Sequence, residues 1–162
     1  MDETDVKILN ILSENSNTTT TDMTAKVNLS IPAINKRIQK LCQNGIIQRF
    51  TVLIDPRKAG KPIQAFILIV VQQEPAIIDR LMQYVEDEPD ILECCAVTGE
   101  YDYLLKVRTK DVESLEDKLL FLKRQMGITK SHTMLSLLEH KFRPSVLPDK
   151  SPMTKNTEEK VE

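Results

Sequence analysis

The sequence has few of the residues on which catalysis and membrane insertion depend. It contains two histidines, His132 and His140, and neither has an acid or nucleophile at a useful spacing. No glycine-rich phosphate loop, metal-ligand cluster or nucleophile elbow occurs. The longest apolar run, Ala65 to Val71, has seven residues, whereas a membrane-spanning helix needs about 20. We therefore expect neither an enzyme nor a membrane protein, and no metal or cofactor.

Cysteine is also scarce. Cys42, Cys94 and Cys95 are an odd number without any C-x-x-C pair, which favours neither a disulfide framework nor a zinc site. Reduced thiols predict a cytoplasmic protein. The N-terminus is acidic and is followed by no long apolar stretch, so a signal peptide of the usual kind is not expected.

Acidic residues are missing from one long stretch: none lies between Asp22 and Asp55. The formal net charge of −2 hides this asymmetry. Residues 23–73 carry eight bases and one acid, a net charge of +7, and the segments on either side are acidic. A basic block of this kind is typical of a nucleic-acid-binding surface. The alternative is a solvated helix surface that happens to lack acids.

The first 45 residues predict three helices. Apolar spacing indicates a helix over residues 2–14, and Thr19 begins a second helix that ends at Val27. Ser30 caps a third helix, which Gly45 ends. Because the turn between the second and third helices is only three or four residues long, the arrangement is that of a helix-turn-helix.

The outward positions of the third helix are basic or carry amides, without any acid. Asparagine and glutamine can pair with adenine, and lysine or arginine can reach guanine or phosphate. The alternative is a small helical subdomain with a polar surface. We predict that these residues and their neighbours contact DNA: Thr19, Thr20, Lys26, Ser30, Ala33, Asn35, Lys36, Arg37, Gln39, Lys40 and Arg49.

The remaining sequence predicts a second domain. Alternation predicts a strand over 46–54, which completes a domain of residues 1–54, and the Pro- and Gly-containing residues 55–62 read as a hinge. Residues 63–143 alternate as βαββαβ, a ferredoxin-like α+β fold with a four-stranded antiparallel sheet. Its helix-free face would be apolar, which predicts a partner subunit. Residues 144–162 are expected to be a disordered tail.

These stretches resemble the Lrp/AsnC (feast/famine) family of transcriptional regulators over about residues 1–147. Four segments carry the resemblance: Asp2-Glu3-x-Asp5-x-Lys7-Ile8-Leu9; Leu29-Ser30-x-x-x-Ile34-x-x-Arg37-Ile38-x-x-Leu41; Gly45-Ile46-Ile47 with Phe50-Thr51; and Val97 to Val107. The resemblance implies a winged-type helix-turn-helix followed by a ferredoxin-like domain called RAM. It also implies dimers that associate further, as a tetramer of dimers, and an amino acid or related metabolite bound between RAM domains.

By the same resemblance, the turn Gly99-Glu100-Tyr101-Asp102 is the effector-site element. Thr129, Ser131 and Thr133 on the last strand are its polar partners. Exposed N–H groups of a glycine turn can take a carboxylate, and Asp102 can take an ammonium group. The alternative is an ordinary hairpin loop whose aspartate caps its own backbone.

Together these features predict a sequence-specific DNA-binding transcriptional regulator that is oligomeric and modulated by a small amino-acid-like effector. The alternative is an architectural protein that wraps or bends DNA without an effector.

Overall fold

The computed structural model describes residues 1–148, which form two compact units. The first contains Met1–Val52 and the described residues from Phe142 onward, and the second is Leu53–Lys141. No helix among the described residues is long and apolar enough to cross a membrane.

The first unit is built from three helices: α1 (Glu3–Glu14), α2 (Thr20–Val27) and α3 (Ile31–Gln43). Their apolar faces meet in a core that includes Ile8 and Ile34, both fully buried. Asn28 ends α2 in the left-handed conformation with φ 54°, which makes the tight turn into α3. The predicted helix-turn-helix is therefore present.

Short-range side-chain bonds begin two of these helices. Asp2 and Asp5 form a reciprocal capping box on α1: each carboxylate accepts the other residue's backbone N–H, at 2.9 and 3.0 Å. The Thr19 hydroxyl accepts the N–H of Asp22 at the start of α2. Both caps satisfy N–H groups that have no partner inside the helix.

The strand predicted over residues 46–54 is wrong. After α3, residues 44–62 contain only turns, bends and irregular backbone. Val52 and Ile54 are 77% and 72% exposed. An alternating pattern shows that a segment could form a strand, but it does not show that a second strand lies beside it. Because pairing with a neighbouring strand stabilises a strand, this segment stays irregular.

The second unit has the predicted βαββαβ order. Its elements are β1 (Ile63–Val71), α4 (Pro75–Asp87), β2 (Ile91–Ala96), β3 (Tyr103–Thr109), α5 (Val112–Gln125) and β4 (Ile128–Leu135). The strands form one sheet in the order β2-β3-β1-β4, and every neighbouring pair is antiparallel. The last strand ends at Leu135.

The side chains of the interior strand β1 alternate between the two faces of this sheet. Ile67 and Ile69 are fully buried in the core that the sheet shares with Leu81 of α4 and Leu122 of α5. The residues that alternate with them point to the other face, which carries no helix of this unit. We call this the open face. Its half-buried apolar side chains on β1 and β3 are Phe66, Leu68, Val70 and Leu104.

Residues 136–148 contain neither helix nor strand. The expected tail therefore begins in irregular backbone, and most of it, residues 149–162, lies outside the described residues.

Candidate nucleic-acid interface and effector turn

The outer face of α3 carries four exposed polar side chains, Asn35, Lys36, Gln39 and Lys40. Their spacing of i, i+1, i+4 and i+5 places them on one side of the helix. No acid lies on α3, and neither lysine forms an ion pair with any residue in the range 1–148. The helix therefore presents two unneutralised cations and two amides, the chemistry that binds phosphates and base edges.

Other predicted DNA contacts surround this face. Lys26 is exposed in the last turn of α2, and Arg49 is exposed beyond the end of α3. Ser30 is the N-cap of α3, but its hydroxyl makes no capping hydrogen bond. Thr20 and Ala33 are half-buried. These five residues occupy the ends of the two helices or their flanks.

Two of the predicted DNA contacts have side chains engaged within the protein. The Thr19 hydroxyl donates to the Asp22 carboxylate at 2.6 Å while capping α2. Arg37 Nη1 lies 2.7 Å from Oδ1 of Asp5 and 2.7 Å from Oδ2 of Asp2. Hydrogen bonds to Asp5 and Asp2 raise the pKa of Arg37, and the N–H of Asp5 with the guanidinium lowers the pKa of Asp2. The structure thus gives Arg37 two intramolecular acid partners, and its contact with DNA stays a prediction.

Ile31, the first residue of α3, was not among the predicted DNA contacts. In the structure 41% of it is exposed beside Ser30. An apolar side chain at the start of such a helix can contact a thymine methyl group. Its position immediately after the N-cap was the available signal.

The Gly99–Asp102 turn connects β2 to β3 and is tied to the end of β1. Asp102 donates its N–H to the Ile69 carbonyl at 2.9 Å. Its carboxylate oxygen Oδ2 accepts the Val71 N–H at 2.9 Å and the Gln73 amide at 3.1 Å. The Asp102 carboxylate therefore bonds to the end of β1 and to Gln73, and not to the backbone of its own turn as the alternative supposed.

The three predicted polar partners lie on β4, the edge strand beside β1. Thr129 donates its hydroxyl to the Val70 carbonyl at 3.3 Å, and Ser131 pairs with Ile69. The structure therefore brings Thr129 and Ser131 to the end of β1 that holds the turn. Thr133 pairs with Ile67, two residues farther from that end.

The side chain that actually contacts the turn from β4 is Lys130, which was not predicted. Its Nζ lies 3.1 Å from Oε2 of Glu100 and 4.8 Å from the ring centroid of Tyr101. Glu100 and Tyr101 raise the pKa of Lys130. Side chains of a strand alternate between the two faces of its sheet. The prediction of Thr129 and Ser131 on one face therefore left out Lys130, which lies between them on the other face.

A groove of about 470 Å³ also lies between α4 and α5. Lys118 in this groove pairs with Glu88 at 2.9 Å and with Asp90 at 3.5 Å. Burial, with nearby Glu88, raises the pKa of Tyr84 to about 12. Burial alone would raise the pKa of Glu88, but Lys118 and the N–H of Asp90 hold it below its usual value. Lys118 therefore has two acid partners within the groove.

Comparison with known proteins gives the class. Residues 1–48 match a winged helix-turn-helix DNA-binding family, and residues 64–146 match the Lrp/AsnC ligand-binding domain. The chain belongs to the Lrp/AsnC family and is a transcriptional regulator with a helix-turn-helix and a ligand-binding domain.

Individual relatives cover nearly the whole chain. The HTH-type transcriptional regulator FL11 of Pyrococcus horikoshii is 34% identical, over 87% of this chain and 92% of its own. The glutamate uptake regulatory protein of Zymomonas mobilis is 28% identical, over 91% and 90%. The solved transcriptional regulator NMB0573 of Neisseria meningitidis, in complex with L-Met, superposes with a TM-score of 0.86 at 29% identity, over 90% and 96%.

Proposed function

We propose that this protein binds DNA sequence-specifically through α3, assembles into dimers and larger oligomers, and changes its DNA binding when an amino acid or related metabolite binds to the second unit. The observation that carries the proposal is the outer face of α3, where Lys36 and Lys40 are exposed and unpaired among residues 1–148. Within the second unit, by contrast, Lys106, Lys118 and Lys130 form ion pairs with acids of the same unit.

The DNA-binding part is tested by selecting binding sites from random duplexes with the full-length protein. We expect an enriched sequence with two half-sites about 34 Å apart, one helical turn, as for dimeric helix-turn-helix proteins. Affinity for the enriched duplex should exceed that for a scrambled one by at least about 10³-fold. Equal affinity for both duplexes would contradict sequence-specific reading.

Self-association is proposed through the open face. An apolar sheet face without a covering helix is stable in water when a second surface covers it, and a second copy offers an identical one. Leu68→Glu should therefore reduce the oligomeric mass in sedimentation. Val112→Glu places the same charge on an exposed position of α5, away from the open face, and should leave the mass unchanged.

The effector part of the proposal is supported by the turn at Gly99–Asp102, by its contacts with β1 and β4, and by the L-Met complex of a regulator with the same fold. A thermal-shift screen with the common amino acids, read together with oligomeric mass, tests it. We expect at least one amino acid to raise the unfolding temperature.

Replacing the β4 hydroxyls (Thr129→Val with Ser131→Ala) should remove that shift. Ser16→Ala, in an exposed loop of the first unit, should keep it. If no amino acid binds at millimolar concentration while DNA binding persists, the architectural function is favoured instead.

A further inference from the structure

Arg37 joins the recognition helix to the start of α1. Its Nη1 lies 2.7 Å from a carboxylate oxygen of Asp2 and 2.7 Å from one of Asp5. The remaining oxygens of the same two carboxylates close the capping box. No other side-chain hydrogen bond within residues 1–148 connects α1 with α3.

The other contacts between the two helices are apolar and have little directional preference. Ile8, Ile34 and Leu41 share one buried cluster, and hydrophobic burial depends on area rather than on angle. A charge-assisted hydrogen bond has a narrow range of distance and angle. Arg37 therefore restricts how far α3 can rotate about its own axis or slide along α1.

Such a restriction matters because the side chains proposed to read DNA are neighbours of Arg37. Lys36 adjoins it in sequence, and Lys40 lies one turn away on the same helix. A rotation of α3 that left the apolar core intact would move both lysines, together with Asn35 and Gln39, relative to the rest of the unit.

We propose that Arg37, held by Asp2 and Asp5, is a positioning residue that sets the orientation of α3 for sequence discrimination and does not itself bind DNA. The inference rests on the proposed function, in which α3 reads DNA. The two acids neutralise the guanidinium, so loss of Arg37 should weaken discrimination between sequences without removing a phosphate contact.

The test compares variants of the full-length protein on two duplexes, the sequence selected by the unaltered protein and its scrambled form. The variants are Arg37→Met, the pair Asp2→Asn with Asp5→Asn, and the combination of all three. Asparagine is as good an N-cap as aspartate, so the acid changes preserve the start of α1. Glu3→Gln with Glu14→Gln is the matched control, because it removes two exposed acids from the same helix.

We expect Arg37→Met and the double asparagine variant each to lower the ratio of the two affinities about tenfold, which is about 1.4 kcal/mol. The triple variant should lose no more than either, since the three residues act as one unit. The salt dependence of binding should stay unchanged in all of them. The glutamine control should keep the ratio, and Arg37→Lys should keep part of it.

Other outcomes would overturn the proposal. If Arg37→Met lowers the salt slope by about 0.9 and the asparagine pair tightens binding to both duplexes, Arg37 is a phosphate contact. If the variants lose only thermal stability and keep the ratio at a temperature where they are folded, the role is structural alone. If the unaltered protein selects no sequence, the proposed function fails as well; a successful selection with retained ratios removes only the positioning role.

Discussion

The two units differ in the ion-pair partners of their cationic side chains. In the second unit Lys61, Lys106, Lys118 and Lys130 each pair with an acid of the same unit. In the first, the paired cation is Arg37, and the lysines on the outer face of α3 have no acid partner among residues 1–148. Counterions leave DNA when a protein cation neutralises a phosphate, and a cation already held by an acid neutralises a phosphate less completely. Within the described part of the chain, cations without an ion pair also occur in the second unit, for example Lys123 and Arg124. What distinguishes the first unit is therefore the acid-free face of α3 on which Lys36 and Lys40 lie together.

The largest expected effect tests whether each unit has its own core. Ile34 and Ile67 are fully buried, one in each unit, and their neighbours in the core belong to the same unit. Either residue changed to alanine should cost about 2–5 kcal/mol of unfolding free energy. Hydrogen exchange should place the loss of Ile34→Ala in the three helices, with loss of DNA binding, and that of Ile67→Ala in the sheet. Equal loss of protection throughout the chain for both variants would contradict two separate cores.

A second comparison uses one glycine from each unit. Gly45 (φ 69°) has open space where a Cβ would lie, whereas a Cβ on Gly127 (φ 64°) would meet Ile77 Cγ2 at 2.6 Å. Gly45→Ala should cost about 1–2 kcal/mol for the left-handed backbone alone. Gly127→Ala should cost about 1–3 kcal/mol more, because Ile77 must move. Denaturant unfolding measures the loss of unfolding free energy in both variants. Equal losses would mean that Ile77 moves aside without a cost in free energy.

The smallest expected effect concerns two helix caps. Asp111 accepts the Ser114 N–H at the start of α5, while Ser30 at the start of α3 makes no capping bond. Asp111→Ala should lower stability by less than either glycine change, and Ser30→Ala should leave it nearly unchanged.

The hydroxyl and N–H of Ser114 lower the pKa of Asp111. The Asp111 contribution is therefore complete above its ordinary pKa and disappears as the pH falls through the lowered value in the folded protein. Unfolding curves at pH 7 and at successively lower pH check this, and a difference that does not shrink as the pH falls would contradict it.

Features that depend on nearby residues were predictable from the sequence. The start of α2 at Thr19 and the short turn between α2 and α3 involve partners within four residues, so composition and spacing suffice to identify them. The βαββαβ order also followed from periodicity. The strand over 46–54 failed because alternation does not specify a partner strand.

The partners within the candidate sites depended on distant residues. Arg37 bonds to acids 32 and 35 positions earlier, and Lys130 bonds to Glu100 at a separation of 30. In each case the sequence showed a cation on a polar surface but not the acid that the fold brings to it. These two contacts are therefore what the structure adds to the predicted sites, whose DNA-binding and effector roles stay predictions.

The salt dependence of DNA binding tests the central claim most directly. Changing Lys36 and Lys40 together to glutamine should reduce the slope of log affinity against log salt by about 1.8, and affinity at 0.15 M salt by about 30-fold. Lys123 and Arg124, exposed in the last turn of α5, provide the matched pair, and their change to glutamine should leave the slope unaltered. If both pairs alter the slope equally, or neither does, α3 is not the surface that meets DNA.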